Sequence, residues 1–522
     1  MNLSFSQPYP SQRAPVCAKN VVASSQPLAT QAGINAMRKG GNAIDAAIAT
    51  AITLTVVEPC MNGLGSDAFS IFWDGEQLHG LNASGHSPAA WQRTHFDQYE
   101  TMPEIGWDTV TTPGAVSAWV AMSEKFGDLA FEDLFEDALR YASDGFAVGP
   151  ISASVWRAVW PMYETFPDFV EHFGPPPRPG QTFVPRHMHK TLQQIATSRG
   201  ESFYRGELAQ KIADAATAAG GGLSLEDLAL HEAQWVEPIQ QDYADVTLHE
   251  IPPNGQGLAA QIALAILKHF DLPPLDSAES LHLQIEAMKI AIATAFEHFS
   301  DPQFLKVSAN ELLDEQHIAK AAASIGKYAN PIPPVPLATS KDTVYLCAAD
   351  KDGRMVSFIQ SNYLSFGSGI VIPQTGIAMQ NRGAGFTLKP GHVNEVGPRK
   401  RPFHTIIPGF VTKNAKPKMA FGVMGGHMQA QGHVQMMLRI FQHQQNPQAA
   451  SDAPRWIVRE DFSVGLEAGI DKKVAEELSQ RGHAVSYDPM SSTFGGAQLI
   501  YNNDDSYIAG SDHRKEGHAA GY

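Results

Sequence analysis

An α+β fold is predicted by three features of the chain: a helical texture through the first half, a proline-rich break at Tyr328 to Asp342, and β-type segments beginning at Thr343. The helical reading rests on stops, caps and stripes. Ala29 to Lys39 is closed by Gly40 and Gly41, and Asn42 followed by Asp45 opens an alanine-rich helix. Ala43 to Val57 is the longest apolar segment, but Asp45 interrupts it and it falls short of the roughly 20 residues of a membrane span, so it reads as a buried helix. Leu281, Ile285, Met288, Ile292 and Phe296 recur at helical spacing, with Glu286 and Lys289 on the other side. After the prolines, Thr343 to Ala349 and Met355 to Ser361 flank an Asp350 to Gly353 turn, which predicts a hairpin. With the tip at Lys351–Asp352 or Asp352–Gly353, its register returns Gln360 to Asn362 beside Thr343.

The 522 residues are ample for a large core, and 43% hydrophobic residues with 9% aromatics exclude a collagen-like, coiled-coil or disordered chain. Acidic residues outnumber basic ones 54 to 38, and a net charge of −16 repels phosphate backbones and anionic lipid, so neither nucleic acid nor membrane is an expected partner. The first twenty residues lack a basic stretch leading into an apolar core of about 7–15 residues, and a cytoplasmic location is expected. Cys17, Cys60 and Cys347 are odd in number and widely spaced, which favours reduced thiols. No internal repeat is visible.

Division before Thr343 splits the charge unevenly. Residues 343–522 carry 18 basic and 15 acidic residues, whereas residues 1–342 carry 20 and 39. Complementary pieces packing together is one reading. The other is that Arg382, Arg399, Lys400 and Arg401 help hold an anionic substrate.

Generic motifs contribute little. His231-Glu232 lacks a histidine at the helical i+4 position, and the pairs His187 with His189 and His427 with His433 have no acidic partner at a recognisable spacing. Gly63-Leu64-Gly65 lacks the third glycine of a dinucleotide loop. Ser324 to Lys327 matches Ser-x-x-Lys, a pattern short enough to arise by chance, and G-x-S-x-G is absent. No metal and no organic cofactor is expected.

Thr343 is different in kind, because it opens a strand directly after a segment suited to cleavage. If the Asp342–Thr343 bond breaks, Thr343 carries both a hydroxyl nucleophile and an α-amino group with a pKa near ~8, a usable base at neutral pH. Taken alone, a threonine at the start of a strand is ordinary.

Its surroundings add more. Thr343 to Gly353, Ser361, Phe366-Gly-Ser-Gly-Ile370, Arg401-Pro402, Pro408 and Gly425-Gly426 follow the order and spacing of the γ-glutamyltransferase family, which the chain resembles. The likeness runs nearly end to end, through Gly40 to Ala47, Thr112-Pro-Gly-Ala-Val116, Asp242-Tyr243, Pro252-Pro253, Asp301-Pro302 and Ala519 to Tyr522. The resemblance implies an N-terminal-nucleophile hydrolase, a four-layer αββα sandwich made as one inactive chain that cuts itself at Asp342–Thr343. It implies a large chain, 1–342, and a small chain, 343–522, intertwined as a heterodimer acting on a small-molecule amide, with further pairing left open. It implies Thr343 as nucleophile, Ser361 as the hydroxyl that hydrogen-bonds it, and Gly425-Gly426 as the oxyanion hole.

Substrate recognition departs from the glutathione-cleaving members. Ser84 stands where they carry an arginine for the glutamyl α-carboxylate, and Arg382 and Gly385, beside Asn381, stand where they place a glutamine and an aspartate. Tyr363 replaces an asparagine, and His404-Thr405 replace two serines. A site that loses an acid and gains an arginine suits an acyl group with a carboxylate and no α-ammonium, as in glutaryl or oxamate-like amides. Alternatively, Arg382 forms a structural salt bridge to the acidic N-terminal piece. The segment from Phe386 to Pro402 is shorter than in members with a lid, and an open site is expected. Two other readings stand beside the amidohydrolase: a true glutathione hydrolase and γ-glutamyltransferase, and an uncut, non-catalytic binding homologue.

Overall fold

The computed structural model describes residues 12–331 and 342–522, so most of the proline-rich break and the first eleven residues lie outside the described residues. Two seven-stranded antiparallel sheets face each other. One runs Val16–Ala18, Tyr507–Ser511, Gly496–Asn502, Lys416–Met424, Gly409–Lys413, Val246–Glu250, Ile239–Tyr243. The other runs His518–Gly521, Val21–Ser24, Asp342–Ala349, Met355–Tyr363, Asp67–Trp73, Leu78–Asn82, Gln234–Val236. Both sheets draw strands from both sides of the Asp342–Thr343 bond. A proposed cut there therefore separates no domain.

Alternation along the strands builds the layers. Tyr345, Cys347 and Ala349 join Phe69, Ile71, Ile359, Phe410 and Ala420 in a core between the sheets. Val344, Leu346 and Ala348 point the other way, into a core shared with the helices of the N-terminal half. On the outer face of the first sheet, Leu248, Val411, Phe421 and Val423 pack on helices Gly257–Leu267, Ala278–His298 and Met428–Met437. The result is helix, sheet, sheet, helix. The strand Met355–Tyr363 is buried at every position because layers cover both its faces, so its sequence does not alternate.

Helix Ala43–Val57 is buried along its whole length. Asn42 and Asp45 close a capping box at its start, and Asp350, from the hairpin turn, accepts a bond from Ala43 N at 2.9 Å. The helix N-terminus thus pins the tip of the Thr343 hairpin. No helix among the described residues is long and apolar enough to cross a membrane. Cys17, Cys60 and Cys347 form no disulfide with one another, and Cys60 and Cys347 are buried.

One helix face departs from the sequence reading. Glu286 and Lys289 on Ala278–His298 are buried as a 2.8 Å ion pair rather than facing solvent. They clasp the chain near the break: Lys289 Nζ donates to Asn330 O at 2.8 Å, and Asn330 N donates to Glu286 at 3.0 Å.

Candidate active site

Thr343 lies at the end of the gap between the two sheets, fully buried in the uncut chain. Its strand pairs in regular register from Ala349–Met355 to Val344–Gln360, then slips so that Asp342 faces Tyr363. Such an irregularity re-aims a side chain. Thr343 Oγ1 donates to Ser361 Oγ at 3.2 Å, as the hairpin register anticipates. Ser361 Oγ also accepts Tyr363 N at 2.9 Å, which holds the chain where Tyr363 takes a left-handed φ of 82°. For an aromatic residue that backbone costs on the order of 1–3 kcal/mol, a form of strain concentrated at functional sites.

From this point the contacts close a ring. The Arg382 guanidinium lies 4.6 Å from the Tyr363 ring centroid, and its Nη1 donates to Thr405 Oγ1 at 2.8 Å. The carbonyl of Thr405 accepts Gln256 Nε2 at 2.5 Å, and the same nitrogen donates to Gly426 O at 2.9 Å. Gln429 N donates to Gly426 O at 3.1 Å, while its side-chain Nε2 lies 3.5 Å from Thr343 Oγ1. Thr343, Ser361, Arg382 and the diglycine are thereby brought together.

Gly425 and Gly426 sit between the strand Lys416–Met424 and the helix Met428–Met437, with φ of 119° and 59°. A Cβ on Gly425 would also come within 3.0 Å of Gly495 Cα. The Gly425 carbonyl accepts Met428 N at 3.0 Å. In a trans peptide this aims the Gly426 N–H the opposite way, away from the helix, as an oxyanion donor requires.

Arg382 is 1% exposed. Its Nε and Nη2 find no hydrogen-bond partner among the described residues. Burial lowers its pKa to about 10, against the raising influence of Asp67 and Tyr363. The other basic residues named from the sequence hold structure: Arg399 pairs with Glu226 at 2.5 Å, Lys400 donates to the carbonyls of Val393 and Glu395, and Arg401 donates to Ser84 O and Gln234. Complementary packing accounts for Arg399 and Arg401, and Arg382 stands apart.

The remaining expected binding residues are engaged by the protein. Asn381 accepts Leu364 N at 3.0 Å and donates to Glu104 O at 2.7 Å. Ser84 donates to Asn82 Oδ1 at 2.7 Å and accepts from Asn254 at 3.2 Å. His404 Nε2 lies 3.1 Å from Asp67 Oδ2, and burial, then Arg382 and Arg401, hold this imidazole well below its usual pKa, so it donates as a neutral ring.

Asp67, Gln256 and Gln429 escaped the sequence reading. Asp67 is opposite Ser361 across the sheet and fully buried. Burial pushes its carboxyl up to about 7, opposed by Arg382, Arg401 and the N–H groups of Gly85 and Gly114. Those glycines allow the close approach: a Cβ on Gly114 would lie 1.4 Å from Ala83 O, and on Gly85 1.6 Å from Thr112 O. The Thr112 to Val116 motif thus builds the Asp67 cradle. Its sequence signal was the Gly63-Leu64-Gly65 turn just before it.

Two expectations change. The uncut chain does not present an open site, since Thr343, Ser361 and Arg382 are all covered. Nor are carboxylates absent, because Asp67 acts on Arg382, and Glu104 and Glu460 raise the Tyr363 hydroxyl above its usual range after burial, the largest cause.

Replacing Ser361 by alanine removes the acceptor for both Thr343 Oγ1 and Tyr363 N. The expected result is a fall in kcat of about 10- to 100-fold, read on material whose cleavage is confirmed by mass.

One histidine and carboxylate cluster lies elsewhere: ligand atoms of His282, Glu286 and His483 fall within 4.8 Å of one another. The Lys289 ammonium already occupies Glu286, and His282 Nε2 lies 2.8 Å from the Gly326 carbonyl. This cluster belongs to the clasp near the break.

The family model described as gamma-glutamyltranspeptidase matches residues 29–522. The glutathione hydrolase-like YwrD proenzyme of Bacillus subtilis (strain 168) is 34% identical, over 96% of this chain and 98% of its own length. The oxamate amidohydrolase proenzyme of Klebsiella pneumoniae is 33% identical, over 95% of this chain and 97% of its own. The solved cephalosporin acylase from Bacillus halodurans superposes with a TM-score of 0.96 at 44% identity, over 100% of this chain and 99% of that one. With this match along nearly its whole length and the αββα architecture, the chain belongs to the γ-glutamyltranspeptidase family of N-terminal-nucleophile hydrolases and is an enzyme of that family.

Proposed function

We propose that the chain is an autoprocessed threonine amidohydrolase that hydrolyses the amide of a small, carboxylate-bearing acyl group through an acyl-enzyme on Thr343. The observation that carries this reading is a buried arginine with two unpartnered nitrogens, held in one ring of contacts with a threonine hydroxyl at the cleavable position. A desolvated guanidinium seeks a bidentate anion, and a substrate carboxylate supplies one.

Processing begins when Thr343 Oγ1 attacks the Asp342 carbonyl and the peptide nitrogen leaves as the Thr343 amine. Water then cleaves the resulting ester, giving chains 1–342 and 343–522, which stay together because both sheets need both pieces. In turnover the free amine takes the Thr343 hydroxyl proton as Oγ1 attacks the substrate carbonyl. The Gly425-Gly426 turn faces the developing oxyanion, and the leaving amine departs with the transferred proton. Water, deprotonated by the same amine, hydrolyses the acyl ester and releases the acid.

A second reading is γ-glutamyl hydrolysis, favoured by Glu104 and Glu460 beside Tyr363, which offer an α-ammonium a counter-charge. Glutaryl, γ-glutamyl and butyryl p-nitroanilides separate the two. The proposal expects glutaryl turnover to exceed both others by at least about tenfold in kcat/KM, or about 1.4 kcal/mol. A γ-glutamyl preference moves the second reading to the front, and a butyryl preference removes the carboxylate from both.

A further inference from the structure

Asp67 is a buried ionisable group that catalysis as described does not use. It is fully buried, on the strand beside Ser361, with Oδ1 3.3 Å from Gly85 N and Oδ2 3.1 Å from His404 Nε2. His404 precedes Thr405, whose hydroxyl accepts Arg382. The charged and titratable groups that face Asp67 are few: Arg382, Arg401, neutral His404 and Tyr204, whose hydroxyl donates to Pro113 O at 3.0 Å. Arg401 is also balanced by Asp301, which accepts its backbone N at 2.8 Å. Arg382 has no carboxylate within ion-pair distance among the described residues, so Asp67 balances it without touching it.

We propose that Asp67 is the resting counter-charge of Arg382, and that Asp67 takes up a proton when the carboxylate of an acyl donor docks on that arginine. The inference rests on the reading of Arg382 as the substrate-carboxylate site. Its logic is charge balance in a buried space: one guanidinium facing two carboxylates leaves one of them to be neutralised. The substrate anion is held by direct hydrogen bonds to Arg382, so Asp67 is the group that yields. Burial already raises the Asp67 carboxyl, so a nearby second anion favours its protonated form further. Sequence-distant Asp67 thus becomes a specificity-determining residue that makes recognition of anionic acyl groups pH-dependent.

The sign follows from linkage. Binding that takes up a proton weakens as pH rises. The probe is glutarate, predominantly a dianion from pH 6 upward, binding to the processed enzyme. Calorimetry at pH 7 in two buffers of different ionisation enthalpy is expected to show uptake of roughly half a proton, and Kd is expected to weaken about tenfold between pH 6 and pH 8. In Asp67→Asn the uptake disappears and Kd is flat across that range. The Thr343 amine is retained in that variant, so uptake that persists in Asp67→Asn belongs to the amine and overturns the assignment. Glutarate that binds wild type in an Arg382-dependent way without proton uptake overturns the inference and leaves the Arg382 reading intact. Glutarate affinity unchanged by Arg382→Gln overturns both. Should Asp67→Asn fail to mature, a flat wild-type slope still contradicts the proposal.

Discussion

Thr343→Ala is expected to leave a single chain of 56.5 kDa and to abolish amide hydrolysis. Both losses come from one atom. In the proposed reaction Oγ1 is the nucleophile for self-cleavage and for turnover, and without cleavage no α-amine is released to act as base. The substitution removes the 3.2 Å contact to Ser361 and the 3.5 Å approach of Gln429. It leaves Val344 to Ala349 and their partners in both cores untouched, so the fold is expected to survive. Thr343→Ser keeps the hydroxyl and is expected to cut itself and turn over more slowly. A denaturing gel beside a p-nitroanilide assay checks both variants. Wild-type turnover by Thr343→Ala would place the nucleophile elsewhere.

Arg382→Gln is the second large effect. For a glutaryl anilide, kcat/KM is expected to fall by about 10²- to 10³-fold, corresponding to about 3–4 kcal/mol for the loss of a buried, charge-assisted pair. For an uncharged butyryl anilide the change is expected to be much smaller, because that substrate gives Arg382 no anion. The contrast between substrates matters more than either value. A purely structural Arg382, supporting Tyr363 and Thr405, would lower both rates together. Cleavage is confirmed by mass in each sample, which separates a recognition defect from a maturation defect.

What the sequence made legible was local. The Asn42–Asp45 cap, the hairpin after Thr343 and the return of Ser361 to its side all follow from turn chemistry and a period of two. The positive φ angles at Gly425 and Gly426 suit the residue type. What stayed hidden was assembled from distant segments. Gln256 joins Thr405 to Gly426, and Asp67 meets His404, across separations of more than a hundred residues in the chain. No spacing rule marks such partners. The strands Val21–Ser24 and Asp67–Trp73 flank the central hairpin, although the first half reads as helical. Glu286 and Lys289 look like a solvated helix face, yet they are buried against each other and the backbone of Asn330. The acids whose charges act on Tyr363 and Arg382 were missed for the same reason, because Asp67, Glu104 and Glu460 come from three separate parts of the chain.

The central claim is that Thr343 becomes an N-terminus, and intact mass with N-terminal sequencing of the purified wild-type protein tests it most directly. The account predicts two chains that copurify, residues 1–342 and 343–522, the smaller beginning Thr-Val-Tyr-Leu. An enzyme that hydrolyses amides while remaining one chain of 56.5 kDa, or one cut at any other bond, would contradict it.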